Sequence, residues 1–290
     1  NGSGTTYDRF EFIWFGLNRN HRTDIAQKLW WSRVRIYDVD PGWIEGYPNQ
    51  PIAHAAPAIL DSDIPITDAP WTVETGNTNL LIHSPAPSNA WKSPITAVTV
   101  NVPAGTANGA TVVRSVVGIT GVRKSLYFAL FIEPESNFQG NTLNRVLTFE
   151  HENKNGTTFA GTSINFAGLD SGPFDLQIYL SNLQGDPLAI AGVRNLLANL
   201  ASAPIERNRY YIIEGHLIQN TPGISNGEVH VWVDGAKRLQ YTNIRWSDSS
   251  GAGDNKWTEI QVNIINGPGP NSTVSDSYQI EYDHLYVTVN

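Results

Sequence analysis

Apolar and polar residues alternate with period two along most of the chain from about residue 70 onward. That period marks strands half-buried on one face. In 228–234, Val229, Val231 and Val233 point one way, and Glu228, His230, Trp232 and Asp234 the other. In 257–264, Ile260, Val262 and Ile264 alternate with Glu259, Gln261 and Asn263; in 175–180, Leu176, Ile178 and Leu180 alternate with Asp175, Gln177 and Tyr179. Glu214 and His216 share a face with Tyr210 in the run 210–218. Further strands are expected in "KSLYFALFIEP" (124–134), "NRVLTFEHEN" (144–153), "GTSINFAG" (161–168), "KRLQYTNI" (237–244) and "SYQIEYDHLYVTV" (277–289). The spacing is that of an all-β sandwich or barrel.

Gly, Pro, Asn and Asp clusters punctuate these runs. "PAGTANG" between two β-branched runs in 95–117 predicts a hairpin, and "NTPGISNG" predicts another after residue 219. One segment breaks the pattern: "LAIAGVRNLLANLA" (188–201) spaces its Leu, Ile and Val residues for a helix, behind a capping Asp186 and a first-turn Pro187. Residues 21–31 suit a short helix or a strand equally, and the proline-rich 48–70 reads as a long irregular loop. The expected organisation is an N-terminal elaboration over 1–69 packing on one domain over 70–290.

Composition narrows the partners. The 290 residues are 40% hydrophobic and 16% charged, with a net charge of -8, so a core can form. An acidic chain without basic clusters argues against nucleic acid, and no run approaches the length of a membrane span. Cysteine and methionine are both absent, which suits an oxidising exterior and excludes disulfides and thiolate sites. The chain starts at Asn1 without a charged-then-apolar leader, in keeping with a processed mature form or an engineered start. Asn-x-Ser/Thr sequons stand at Asn1, Asn155 and Asn271 and matter in a glycosylating host.

Two longer stretches carry a family likeness. "SLYFALFIEPESNFQGNTLNRVLTFEH" (125–151) and "NRYYIIEGHLIQNTPGISNGEVHVWVDGAKRLQYTNIRW" (208–246) resemble concanavalin A-like jelly-roll proteins of the polysaccharide-lyase group. The early "SPITAVTVNVPAGTANG" (93–109) and the closing "YDHLYV" (282–287) extend the resemblance over about residues 70–290. It implies a two-sheet antiparallel jelly roll, one sheet curved into a concave face that binds sugar chains, and the reading above adds one or two short helices to that all-β fold. A face lined with Tyr179, Glu214, His216, His230, Trp232, Glu259 and Gln261 suits that task, since rings stack on aromatics while amides and carboxylates take hydroxyls. The same alternation is also what any half-exposed strand shows.

Whether such a face is catalytic stays open at this level. β-Elimination needs a group to neutralise the uronate carboxylate, a base for the C5 proton and an acid for the leaving oxygen. Arg145 with Gln177 offers the first, His216 or His230 the second and Tyr179 the third. The "QIH" and "YFKAG" strands of alginate lyases of this fold are absent; "QIY" at 177–179 is the nearest approach, with tyrosine in place of histidine. Paired glycosidase acids reduce to Glu150 and Glu152 of "FEHEN", without the rest of that pattern. Seven scattered histidines lack zinc spacing, so no metal or cofactor is expected, although the loop residues Asp61, Asp63 and Asp68, or the stretch 248–255, offer oxygen ligands to calcium.

The expectation is an extracellular or virion-surface glycan-recognition protein. Its alternatives are an endo-acting polysaccharide lyase and a structural subunit of a virion, fibre or filament that uses the aromatic-rich 7–16 to meet its neighbours.

Overall fold

The computed structural model describes residues 58–62, 70–83, 97–107, 110–120, 124–139, 144–152, 159–168, 172–183, 185–247, 256–265, 274 and 276–289. The segments 7–16 and 21–31, the sequons, Asp63, Asp68 and 248–255 lie outside them.

In chain order the strands are β1 (Ala58–Ser62), β2 (Thr72–Thr75), β3 (Leu80–His83), β4 (Ala97–Val102), β5 (Thr111–Gly118), β6 (Ser125–Pro134), β7 (Asn144–Glu152) and β8 (Phe159–Ala167). They continue as β9 (Phe174–Ser181), β10 (Arg194–Leu197), β11 (Pro204–Ile205), β12 (Tyr211–Ile218), β13 (Gly227–Val233), β14 (Ala236–Ile244), β15 (Lys256–Ile265) and β16 (Tyr278–Val289). The first sheet runs β14-β13-β12-β6-β16-β4-β3, with β1 also on β16; the second runs β10-β9-β8-β7-β15-β5-β2, with β11 also on β9. All pairings are antiparallel. The last two strands, β15 and β16, each lie in the middle of a sheet rather than at an edge. β1 falls within the segment expected to elaborate the sandwich and is hydrogen-bonded into the first sheet.

The aliphatic sets of both sheets meet in one core, as the alternation requires. Phe128 of β6 packs on Phe149 of β7 at 4.9 Å between ring centroids, and Trp246 meets Trp257 at 5.9 Å. The "SNFQG" loop is anchored by buried Phe138, which meets the rings of Phe174 at 4.9 Å and Tyr278 at 5.1 Å. Its Asn137 and Gln139 bind the backbone around the start of β16, so this part of the family likeness is structural.

Gly215 sits opposite Phe128 on β12, and a Cβ there would lie 2.2 Å from the Phe128 ring. Gly215→Val is therefore expected to destabilise the fold by about 1–3 kcal/mol through overpacking, read as a lower denaturation midpoint at unchanged slope.

Two local expectations are corrected. "PAGTANG" does not close a hairpin, because β4 belongs to the first sheet and β5 to the second. The connection instead pairs its backbone with Val274 (Gly105 N–H to Val274 O, 2.8 Å; Val274 N–H to Thr106 O, 3.1 Å) while the chain crosses the sandwich. The stretch 188–201 is not a helix, and among the described residues the one helical turn is the 3-10 turn Asn77–Asn79. Ala191 (φ 51°) and Gly192 (φ 76°) make a tight turn closed by Ile190 and Val193, and β10 follows. The apolar spacing there is not a buried stripe: Leu188, Ile190, Leu197 and Leu200 are all exposed. Asp186 does cap, but it caps a turn, accepting from Leu188 N–H at 2.8 Å and from Arg245 N–H at 2.9 Å.

Candidate functional site

The outer face of the second sheet is built from cross-strand rows. Arg145 on β7 stands opposite Asn165 on β8, and Asn165 opposite Gln177 on β9. The neighbouring row holds Gln261, Thr148, Ser163, Tyr179 and Asn195; the next holds Glu259, Glu150, Gly161 and Ser181. Arg145 reaches this face through an irregularity in β7. Strict alternation would turn it inward with Leu147 and Phe149, but the register shifts between Arg145 and Leu147, and the inserted residue re-aims the guanidinium outward.

The two halves of the face differ in how their polar groups are satisfied. On the β5–β15 side, Arg114 binds Glu74 at 2.5 Å and Glu259 at 3.1 Å. Gln261 donates to Glu259 at 2.5 Å, and Asn263 donates to Gln261 at 3.0 Å. Burial raises the pKa of Glu150, Gln261 counters this with a hydrogen bond, and the charge of Glu259 raises it further. On the β7–β9 side, Thr148 and Ser163 pair their hydroxyls at 3.0 Å. Arg145 has no carboxylate partner among the described residues; its guanidinium lies 5.0 Å from the centroid of the Tyr179 ring. Asn165 is 0% exposed, and neither its Nδ2 nor its Oδ1 has a hydrogen-bond partner among the described residues.

Solved structures share this architecture. The alginate lyase vAL-1 from Chlorella virus aligns with a TM-score of 0.58 at 14% identity, over 81% of this chain and 100% of that one. A mutant of alginate lyase Aly36B in complex with alginate trisaccharide aligns at 0.56 and 16% identity, over 67% and 82%. The endo-beta-1,4-glucuronan lyase from the fungus Trichoderma reesei aligns at 0.53 and 12% identity, over 77% and 92%. The fold is that of the polysaccharide-lyase jelly rolls. No family model and no curated protein matches the sequence. Likeness at these identities carries the fold and leaves the chemistry to this chain's own residues.

Within the lyase-type jelly roll, the residues expected on one sugar-binding face are divided. Arg145, Gln177, Tyr179, Glu259 and Gln261 share the outer face of the second sheet, whereas Glu214, His216, His230 and Trp232 lie on β12 and β13 of the first sheet. The core separates the two outer faces, so His216 and His230 cannot reach a ligand held by Arg145.

The first-sheet groups are also engaged with one another. Glu214, 2% exposed, accepts from Tyr127 at 2.8 Å; His216 Nε2 lies 2.7 Å from Ser125 Oγ; His230 Nε2 lies 2.7 Å from Glu228. Trp232, 3% exposed, stacks with His230 and carries Lys237 over its ring at 5.1 Å. Among the described residues no three His, Asp or Glu side chains gather as a metal site, and no helix is long and apolar enough to cross a membrane.

Two first-sheet groups tie stability to pH with opposite signs. Burial, helped by His230, lowers the pKa of His216 from 6.5 to about 4. The unfolded chain therefore takes up a proton that the folded chain refuses, and stability held above 6.5 is lost as pH falls toward 4. Burial, followed by the charges of Glu135, Glu133 and Asp283, raises the pKa of Glu281 from 4.5 to about 7. Its contribution is complete below 4.5 and is lost as pH rises through 7. Tyr210 donates to Glu281, a contact glutamine can still accept. Glu281→Gln is expected to raise Tm at pH 8 and leave it unchanged at pH 4; equal melting shifts at both pH values would contradict this assignment.

Proposed function

We propose that this protein binds uronate-bearing polysaccharide on the outer face of the second sheet. The observation that carries the reading is Arg145, turned outward without an ion-pair partner among the described residues, in one row with Asn165 and Gln177 and against Tyr179. A guanidinium is a fixed, planar donor for a carboxylate, the amides take hydroxyls, and the tyrosine ring offers a stacking surface. The lyases that share this fold are named for alginate and glucuronan, both uronate polymers, which supports the same chemistry here. A ligand of that kind, together with a chain free of Cys and Met, favours an extracellular setting.

The closeness of Arg145 and Tyr179 favours a second reading, β-elimination. Tyr179 is then the proton-transfer group beside the carboxylate clamp: as phenolate it takes the C5 proton, the C4–O bond breaks as the C4–C5 double bond forms, and the phenol returns a proton to the leaving oxygen. Calorimetric titration with alginate and glucuronan oligosaccharides, using a neutral glucan as control, tests the first reading. Absorbance of the unsaturated product tests the second. Binding without new absorbance leaves a recognition protein, while no preference for uronate over neutral polymers overturns the proposal.

A further inference from the structure

We infer that Asn165 is a ligand-binding residue, held beneath a latch formed by Arg145 and Tyr179. This rests on the uronate-binding reading and adds to it a specific role for one residue of that row and a movement. β7 and β9 are not neighbours: β8 lies between them, so their backbones are about 9.6 Å apart. Yet the Arg145 guanidinium comes within 5.0 Å of the Tyr179 ring centroid, so the two side chains lean together across β8. The outward residues of β8 in those two rows are Asn165 and Ser163. Ser163 has its partner in Thr148, but the amide of Asn165 has none on either atom among the described residues.

A fully buried amide with both ends unpaired costs the fold desolvation that its own hydrogen bonds do not return. Its neighbours on either side in the row are Arg145 and Gln177. The chemistry that would satisfy this row is a carboxylate beside a hydroxyl. Arg145 leaves the Tyr179 ring for the carboxylate, the uncovered Asn165 Nδ2 donates to the same group, and Oδ1 accepts from a ring hydroxyl. Opening the latch also frees the Tyr179 ring to meet the sugar. Ligand binding thus supplies hydrogen bonds that the described residues do not make with one another, an arrangement in which function and stability are opposed at one position.

That opposition gives the test. Asn165→Leu keeps the volume and removes both polar ends; Asn165→Asp keeps the shape and adds a negative charge, which also keeps the test open should the leucine variant fail to fold. Titrations use alginate and glucuronan oligosaccharides on the full chain, with melting temperature measured on the same samples. The expected result is at least a tenfold loss of affinity in Asn165→Leu with Tm unchanged or raised, and a larger loss in Asn165→Asp. Wild-type affinity in both variants, or a Tm several degrees lower in Asn165→Leu, overturns the inference alone. Wild type that binds no uronate oligosaccharide overturns the functional reading and this inference together.

Discussion

Arg145→Ala is expected to weaken uronate-oligosaccharide binding about 30- to 150-fold, the equivalent of about 2–3 kcal/mol. The size follows from removing one partner of a charge-assisted contact on a half-enclosed face, where solvent screens the pair less than at an open surface. The loss should be selective. Because Arg145 has no carboxylate partner among the described residues, its truncation breaks no ion pair with any of them, and Tm should change little. Added salt should weaken the wild type and scarcely affect the variant. Arg145→Lys should restore only part of the affinity, because a point charge does not reproduce the planar fork. Titration calorimetry at two ionic strengths reads all three effects, and unchanged affinity in the alanine variant would remove Arg145 from the site.

Tyr179→Phe should separate recognition from chemistry. The ring survives, so its stacking on a sugar and the contact from Arg145 survive with it, and binding should change by no more than about threefold. The hydroxyl is lost, and with it the proton-transfer group beside the clamp. Turnover of a uronate polymer should fall by about 10²- to 10⁴-fold, the contribution general acid–base groups make. The comparison is product absorbance under saturating polymer against affinity from calorimetry. A variant that eliminates as fast as the wild type would exclude Tyr179 from that role, and with it the lyase reading of this face.

The legible part of the site is what period two controls. Alternation placed Gln177 with Tyr179, Glu259 with Gln261, and Glu214 with His216, and each pair shares a face in the structure. Alternation does not say which sheet a strand joins, because both sheets present the same pattern to a common core. For that reason the histidines of β12 and β13 were grouped with residues they never meet. The irregularity at Val146 was equally hidden, since the sequence around Arg145 reads as unbroken strand and the shift is set by pairing with β8. Asn165 was missed for another reason: between Ile164 and Phe166 it looks like an ordinary outward polar residue, and only its lack of partners separates it from Ser163. In 188–201 the leucines suggested a helix because spacing cannot tell a buried stripe from residues left in solvent. Ala191 and Gly192, both at positive φ, decide for a turn.

The central placement of β15 and β16 has a consequence for how the protein is made. Until residues 256–289 are joined, β6 has no bridge to β4, and β7 has none to β5, so the second sheet exists as two halves and the first as two with β1 unpaired. A ribosome delivering this chain from its N-terminus releases β4, β5, β6 and β7 before the strands that fill the edges between them. Both sheets then become continuous almost together, when the final two strands insert between partners made more than a hundred residues earlier. Arg145, Asn165 and Tyr179 stand on consecutive strands of the half-sheet that β15 joins to β5, so the rows of the proposed site can pair before the sheet that carries them is continuous.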